Sequence, residues 1–93
     1  MKISILLPYK ENFSPAYPGA VSLFVYETSK KSLFKKNIIV YGSTKLKKKF
    51  PIKYKNISLF NIPLTSQTRN YVNKFIKLEK KENSSIIEIH NRP

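Results

Sequence analysis

The sequence predicts an α/β fold, an open and mostly parallel sheet with flanking helices, and two observations carry that prediction. Short β-branched runs alternate with longer stretches whose apolar residues recur at helical spacing. The runs also lack the apolar/polar alternation of half-exposed strands, as expected where a parallel strand is covered on both faces.

The first run, Lys2-Ile3-Ser4-Ile5-Leu6-Leu7, is ended by Pro8 and reads as a buried strand. Pro8, Asn12, Ser14, Pro15, Pro18 and Gly19 then crowd turn formers into one long loop. From Ala20 to Lys31, Val21, Phe24, Val25 and Thr28 fall on one helical side, and Lys30-Lys31 suit the negative pole of that helix. Asn37-Ile38-Ile39-Val40-Tyr41, closed by Gly42, is the second buried strand and completes a βαβ unit.

Lys45, Lys47, Lys48 and Lys49 read as a solvated loop leading to Ile52-Lys53-Tyr54-Lys55-Asn56-Ile57, whose polarity suits an edge strand. Ser66 to Lys81 is the strongest helix, with Tyr71, Val72, Phe75, Ile76 and Glu79 along one side and Thr65 or Ser66 as N-cap. Asn83-Ser84-Ser85 turns into a fourth strand, Ile86-Ile87-Glu88-Ile89, followed by His90-Asn91-Arg92-Pro93. The expected spatial order is 3-2-1-4. Two helices over four strands leave much of one face bare, so the sheet is expected to continue in sequence beyond Pro93.

The chain of 93 residues is read as part of a single domain, with no repeat, linker or low-complexity tract. Its apolar fraction of 41% is that of a globular chain. The absence of cysteine excludes disulfide scaffolds, thiolate metal sites and Cys nucleophiles. The apolar start is cut short by Pro8, unlike a secretory signal, and no stretch approaches the roughly 20 residues of a membrane span. A cytoplasmic location is expected.

The net charge of +13 raises a nucleic-acid reading, since neutralising phosphates is how basic proteins gain non-specific affinity. Sixteen of the 18 basic residues are Lys, in a chain rich in Ile, Asn, Phe and Tyr, all encoded by A+T-rich codons. Much of the charge is therefore read as a solvated surface produced by base composition. The alternative is a small basic nucleic-acid-binding α/β protein that uses Lys45 to Lys55 with the interleaved Phe50 and Tyr54 on phosphates and bases.

Ligands of open α/β sheets bind beyond the carboxyl ends of the strands, where the strand order reverses. In the expected topology that point lies between the first and fourth strands, so Pro18-Gly19-Ala20 should face His90-Asn91-Arg92-Pro93. Gly19 either lets a phosphate approach the free N–H groups of a helix start or simply makes the turn. Gly19 and Gly42 are the two glycines, which excludes both a GxGxxG dinucleotide loop and a Walker loop. His90, the single histidine, is either a structural hydrogen-bonding residue or a ligand contact at a strand end. The scattered Glu11, Glu27, Glu79, Glu82 and Glu88 assemble neither a metal site nor an acid/base pair, and no nucleophile elbow is present.

Met1-Lys2-Ile3-Ser4-Ile5-Leu6-Leu7-Pro8, Phe13-Ser14-Pro15 and Pro18-Gly19-Ala20-Val21 together resemble the opening of family 4 glycosyltransferases. Ile86-Ile87-Glu88-Ile89-His90-Asn91-Arg92-Pro93 is similar to the fourth strand and following loop of the same domain. The resemblance implies a GT-B fold, of which residues 1–93 are an incomplete, Rossmann-like N-terminal half on the acceptor side, without the C-terminal donor-binding domain. It implies transfer of a sugar from a nucleotide diphosphate-sugar to a glycan, cell-envelope or lipid-linked acceptor, with retention and without a metal or other cofactor. The fragment alone is then expected to be inactive. By position, Gly19 and Ala20 lie near the donor diphosphate, and His90 and Asn91 line the acceptor side of the cleft. Family members often carry a second glycine where this chain has Ala20, an Asp where it has Ser85, and Gly-His where Phe34-Lys35-Lys36-Asn37 stands. The resemblance also suggests that the Lys-rich face rests on anionic lipid at the inner face of the membrane.

Overall fold

The structure, a computed structural model, describes residues 2–57 and 67–90. Its elements are β1 (Ile3–Leu6), α1 (Ala20–Lys30), β2 (Ile38–Gly42), β3 (Tyr54–Asn56), α2 (Gln67–Glu82) and β4 (Ile86–Ile89). The strands form one sheet in the order β3-β2-β1-β4. Every adjacent pair is parallel, with Ile3 opposite Ile38 and Ile86, and Val40 opposite Tyr54. This is the spatial order that the sequence predicts. The proposed N-cap positions Thr65 and Ser66 lie outside the described residues, as does Asn91.

Side chains alternate across a strand, so β1 and β2 send successive residues to opposite faces. Ile5, Leu7, Ile38 and Val40 pack with Val25, Phe13, Phe50 and Ile52 on the α1 side. Leu6, Ile39 and Tyr41 pack with Tyr71, Phe75 and Ile57 on the α2 side. The two central strands are thereby sandwiched between helices, which is why their sequences carry no alternation. Burial pushes the phenols of Tyr54 and Tyr71 well above their ordinary range.

The buried stripe of α1 differs from the one expected. Ser22, Val25 and Ser29 face the sheet, whereas Phe24 is 59% exposed and Thr28 is exposed. Beside Val25 this stripe presents two small serines, and the rings of Phe13 and Phe50 fill the α1-side core in place of a helix Phe. In α2 the expectation holds for Tyr71, Phe75 and Glu79, while Ile76 lies at the rim and is exposed.

The ends of α2 and the entry to β4 are tied by specific contacts. Asn83 adopts the left-handed conformation (φ 54°) and its N–H reaches the Glu79 carbonyl at 2.8 Å, a helix stop that Asn accommodates better than residues with bulkier side chains. Lys2 pairs with Glu82 at 3.0 Å, and its hydrogen bond and charge hold that carboxyl below the usual range.

The two sheet edges are treated differently. The β3 edge carries Lys53 and Lys55, both exposed, and charged side chains there discourage pairing with another chain. The β4 edge carries Ile86, Ile87 and Ile89, each about half exposed. Ile87 and Ile89, with Phe75, Ile76, Glu79, Lys80, Asn83 and Ser84, line a groove of about 320 Å³ beside α2. Glu88, also exposed, is the one charge on this strand, and so largely apolar an edge is a pairing hazard. The chain is accordingly expected to self-associate with rising concentration at high salt, where lysine repulsion is screened. Ile89→Lys should suppress that association on size-exclusion chromatography while leaving thermal stability within roughly 0.5 kcal/mol; unchanged elution of the variant would count against β4 as the sticky edge.

Candidate functional site at the carboxyl end of the sheet

The loops that follow the strands converge at one end of the sheet and are cross-linked there by side chains. Thr44, just past β2, donates its hydroxyl to Asn12 Oδ1 in the loop after β1 at 2.6 Å. Its backbone N–H donates to Asn56 Oδ1 at the end of β3 at 2.9 Å. Asn56 Oδ1 also accepts the Tyr54 hydroxyl at 2.9 Å, and the Ile57 N–H reaches the Gly42 carbonyl at 2.7 Å. Gly42 has a local reason to be glycine, because a Cβ there would stand 2.8 Å from the Tyr54 hydroxyl. Three loops are thus held in fixed relation before any ligand is considered.

On the α2 side of the same end, the Tyr71 hydroxyl donates to the Leu7 carbonyl at 2.6 Å, where β1 stops. Tyr9 packs on Tyr71 with ring centroids 5.4 Å apart. Lys10 follows with φ 66°, a left-handed conformation that costs a residue bearing a Cβ about 1–2 kcal/mol. The turn is closed by the Glu11 N–H on the Pro8 carbonyl at 3.1 Å. The outcome is that Glu11 turns back beneath the loop and is 3% exposed.

Gly19 is the N-cap of α1, with extended backbone, and its carbonyl accepts the first helical hydrogen bond from Leu23 at 3.0 Å. No side chain caps this helix from the N-cap position, and its first turn holds no acidic residue. A Cβ at position 19 would overlap the Glu11 carboxylate. The two alternatives for Gly19 are therefore joined by a third fact: the absent side chain makes room for a carboxylate at the start of α1.

Ala20 opens α1 and is exposed. Four residues on, Phe24 lies on the same helical side, and its ring meets the His90 ring edge-on at 6.4 Å. The His90 N–H donates to the Leu6 carbonyl at 3.0 Å, which extends the β4 pairing one residue past Ile89. The His90 Nε2 lies 2.5 Å from Glu88 Oε1, two residues back on the same side of the strand. Gly19, Ala20 and His90 thus occupy the same end of the sheet, beside β1 and β4.

Compared with family models, curated proteins and solved structures, this chain matches none.

The residues proposed for stacking on nucleic-acid bases are otherwise engaged. Phe50 is buried and stacks on Tyr26 at 4.2 Å, and Tyr54 stacks on Phe13 at 5.7 Å. Both rings serve the α1-side core, so Lys45, Lys47 and Lys48 are exposed without the interleaved aromatic surface expected of them. Among the described residues no three of His, Asp and Glu gather as metal ligands would, and no helix is long and apolar enough to cross a membrane.

In the sequence Glu11 stands among scattered carboxylates, and nothing local marks Asn12, Thr44 or Asn56. Each lies at a loop position whose partner is contributed by a different strand end, and no local spacing encodes that. A weak signal did exist, because Asn12 and Glu11 sit inside a proline-rich loop too ordered in composition to be a simple linker.

Proposed function

We propose that this chain is the acceptor-side, N-terminal part of a GT-B glycosyltransferase that moves a sugar from a nucleotide diphosphate-sugar to a glycan or lipid-linked acceptor. The observation that carries the reading is the meeting of the first turns of α1 with His90 through Phe24. It occurs beside β1 and β4, where the order β3-β2-β1-β4 reverses direction. That reversal is where open parallel sheets bind ligands, and a helix start there favours an anion. In this reading the diphosphate lies near Gly19 and Ala20, and His90 and Asn91 line the acceptor side.

The largely apolar β4 edge and the groove beside it agree with a sheet that continues in a larger domain. The donor base and leaving phosphates would be held largely by a second domain across the cleft. Retention without a metal ion and a location at the inner face of an anionic membrane belong to the same proposal. The 320 Å³ groove is not the proposed donor site, because it lies beside Asn83 and Ser84, which precede β4, and not beyond the strand ends.

The deciding assay joins this chain to the sequence encoded downstream of it and supplies a panel of UDP- and GDP-sugars with a lipid-linked acceptor. Expected is release of nucleoside diphosphate that persists in EDTA, with His90→Ala lowering kcat/KM by about 100-fold. Failure of every donor to bind or turn over would remove the reading. Salt-dependent binding to nucleic acid in the same preparation, with a slope that falls when Lys45, Lys47 and Lys48 are replaced, would then favour the basic binding protein.

A further inference from the structure

We propose that the start of α1 is an oxyanion seat with a built-in occupant, in which Glu11 is the displaceable internal anion and the Ser22 hydroxyl a donor reserved for the incoming group. The inference rests on the reading that a phosphate group reaches Gly19, and it adds two residues to which that reading gives no part.

Glu11 comes first. Its carboxylate lies where a Cβ of residue 19 would be, against a helix whose N-cap glycine offers no capping side chain and whose first turn holds no acidic residue. The start of a helix presents free N–H groups and the positive end of the helix dipole, and a carboxylate there is favourable. The loop is built to deliver it: Lys10 takes a left-handed backbone, and the Glu11 N–H closes on the Pro8 carbonyl. A carboxylate carries one charge and two oxygens, whereas a phosphate presents more of both. The exchange of one for the other conserves the sign of charge at the helix start.

Ser22 is the independent observation. It lies in the first turn of α1, is fully buried, and its Oγ has no hydrogen-bond partner among the described residues. A buried hydroxyl without a partner is costly, and alanine would serve the packing as well. Its companion Ser29, also buried, shows that small residues suit this stripe, but not why this one should carry an unused hydroxyl. A donor kept for a ligand at the same helix start accounts for it.

The proposal makes a directional prediction. Glu11 restrains binding and Ser22 assists it, so their removal should have opposite effects on an anion. The probe is inorganic pyrophosphate, titrated at constant ionic strength into the 93-residue chain, followed by calorimetry and by the backbone amide shifts of Ala20, Val21 and Ser22. Glu11→Ala should bind pyrophosphate about tenfold tighter than wild type, the size expected for removing one like charge from a helix start. Glu11→Gln, which keeps volume and polarity, should move the same way and serves if Glu11→Ala fails to fold. Ser22→Ala in the Glu11→Gln background should weaken binding about five- to tenfold with no loss of melting temperature, because it removes an unused buried hydroxyl.

Equal pyrophosphate affinity in wild type and Glu11→Gln overturns the proposal. So do shifts spread over the lysine surface with none in residues 20–22. Site-specific pyrophosphate binding with no further gain from any UDP- or GDP-sugar would leave the seat standing and count against sugar transfer. The two readings therefore fail separately.

Discussion

Phe13→Ala should lower the melting temperature by more than about 10 °C, although residue 13 lies in a loop. Its ring is fully buried at the centre of an aromatic cluster, stacked on Tyr54 at 5.7 Å and edge-on to Phe50 at 5.0 Å and Tyr26 at 6.4 Å. Deleting a buried Phe costs about 3–5 kcal/mol in lost transfer energy and residual cavity. A domain of this size has roughly 5–15 kcal/mol in all, so the variant should be near unfolding at body temperature. The loss falls on the segment that carries Glu11 and Asn12, because Phe13 anchors it and the Phe13 carbonyl accepts the Phe50 N–H at 3.3 Å. Phe24→Ala is the control, since Phe24 is largely exposed and its truncation should stay within about 0.5 kcal/mol. Circular dichroism melts of both variants check this. Equal losses from the two would mean that the layers are packed otherwise than described.

Glu79→Ala should cost about 2–4 kcal/mol, more than expected of an acidic residue in a helix with Lys74, Lys77, Lys80 and Lys81. Glu79 is 8% exposed and acts as a tie between layers. One carboxylate oxygen accepts the Ser4 hydroxyl from the middle of the sheet at 2.8 Å, and the other accepts the Ser84 N–H at 2.7 Å. Ser4 has a single hydroxyl hydrogen, which goes to Glu79, so the 2.6 Å contact between Ser4 and Ser84 must be donated by Ser84. The relay therefore runs from Ser84 through Ser4 to Glu79. Truncation leaves the part-buried Ser84 N–H without its acceptor and breaks the bond by which Ser4 ties the sheet to the helix, and such losses are costly. Glu79→Gln retains one acceptor oxygen and should lose about half as much. Urea unfolding should show a lower midpoint with an unchanged slope. A neutral Glu79→Ala would contradict the relay.

Much of the layout was legible because each element is announced locally. β1 and β2 are compact runs rich in Ile and Val, ended by Pro8 and Gly42, and Lys53 and Lys55 mark β3 as an edge. The order β3-β2-β1-β4 follows from those signals together with the short, uncrossed connections that chains prefer. The rotation of α1 was not legible. Val21, Phe24, Val25 and Thr28 recur at helical spacing, but so do Ser22, Val25 and Ser29, and spacing alone cannot say which stripe is buried. The tertiary structure presents Ser there, because Phe13 and Phe50, from loops, already fill the layer between α1 and the sheet.

For the site, the sequence by itself determined that Gly19 begins a helix and that His90 follows a strand, because turn formers and strand runs are read within a few residues. The tertiary structure alone decided what surrounds them. It brought Phe24 to His90, Thr44 to Asn12 and Asn56, and Glu11 to Gly19. It also stacked Phe50 on Tyr26 and Tyr54 on Phe13 in the α1-side core. The physical reason is the same in each case: periodicity reports which way a side chain points within its own element. Which partner it meets is settled only when several elements compete to fill one volume.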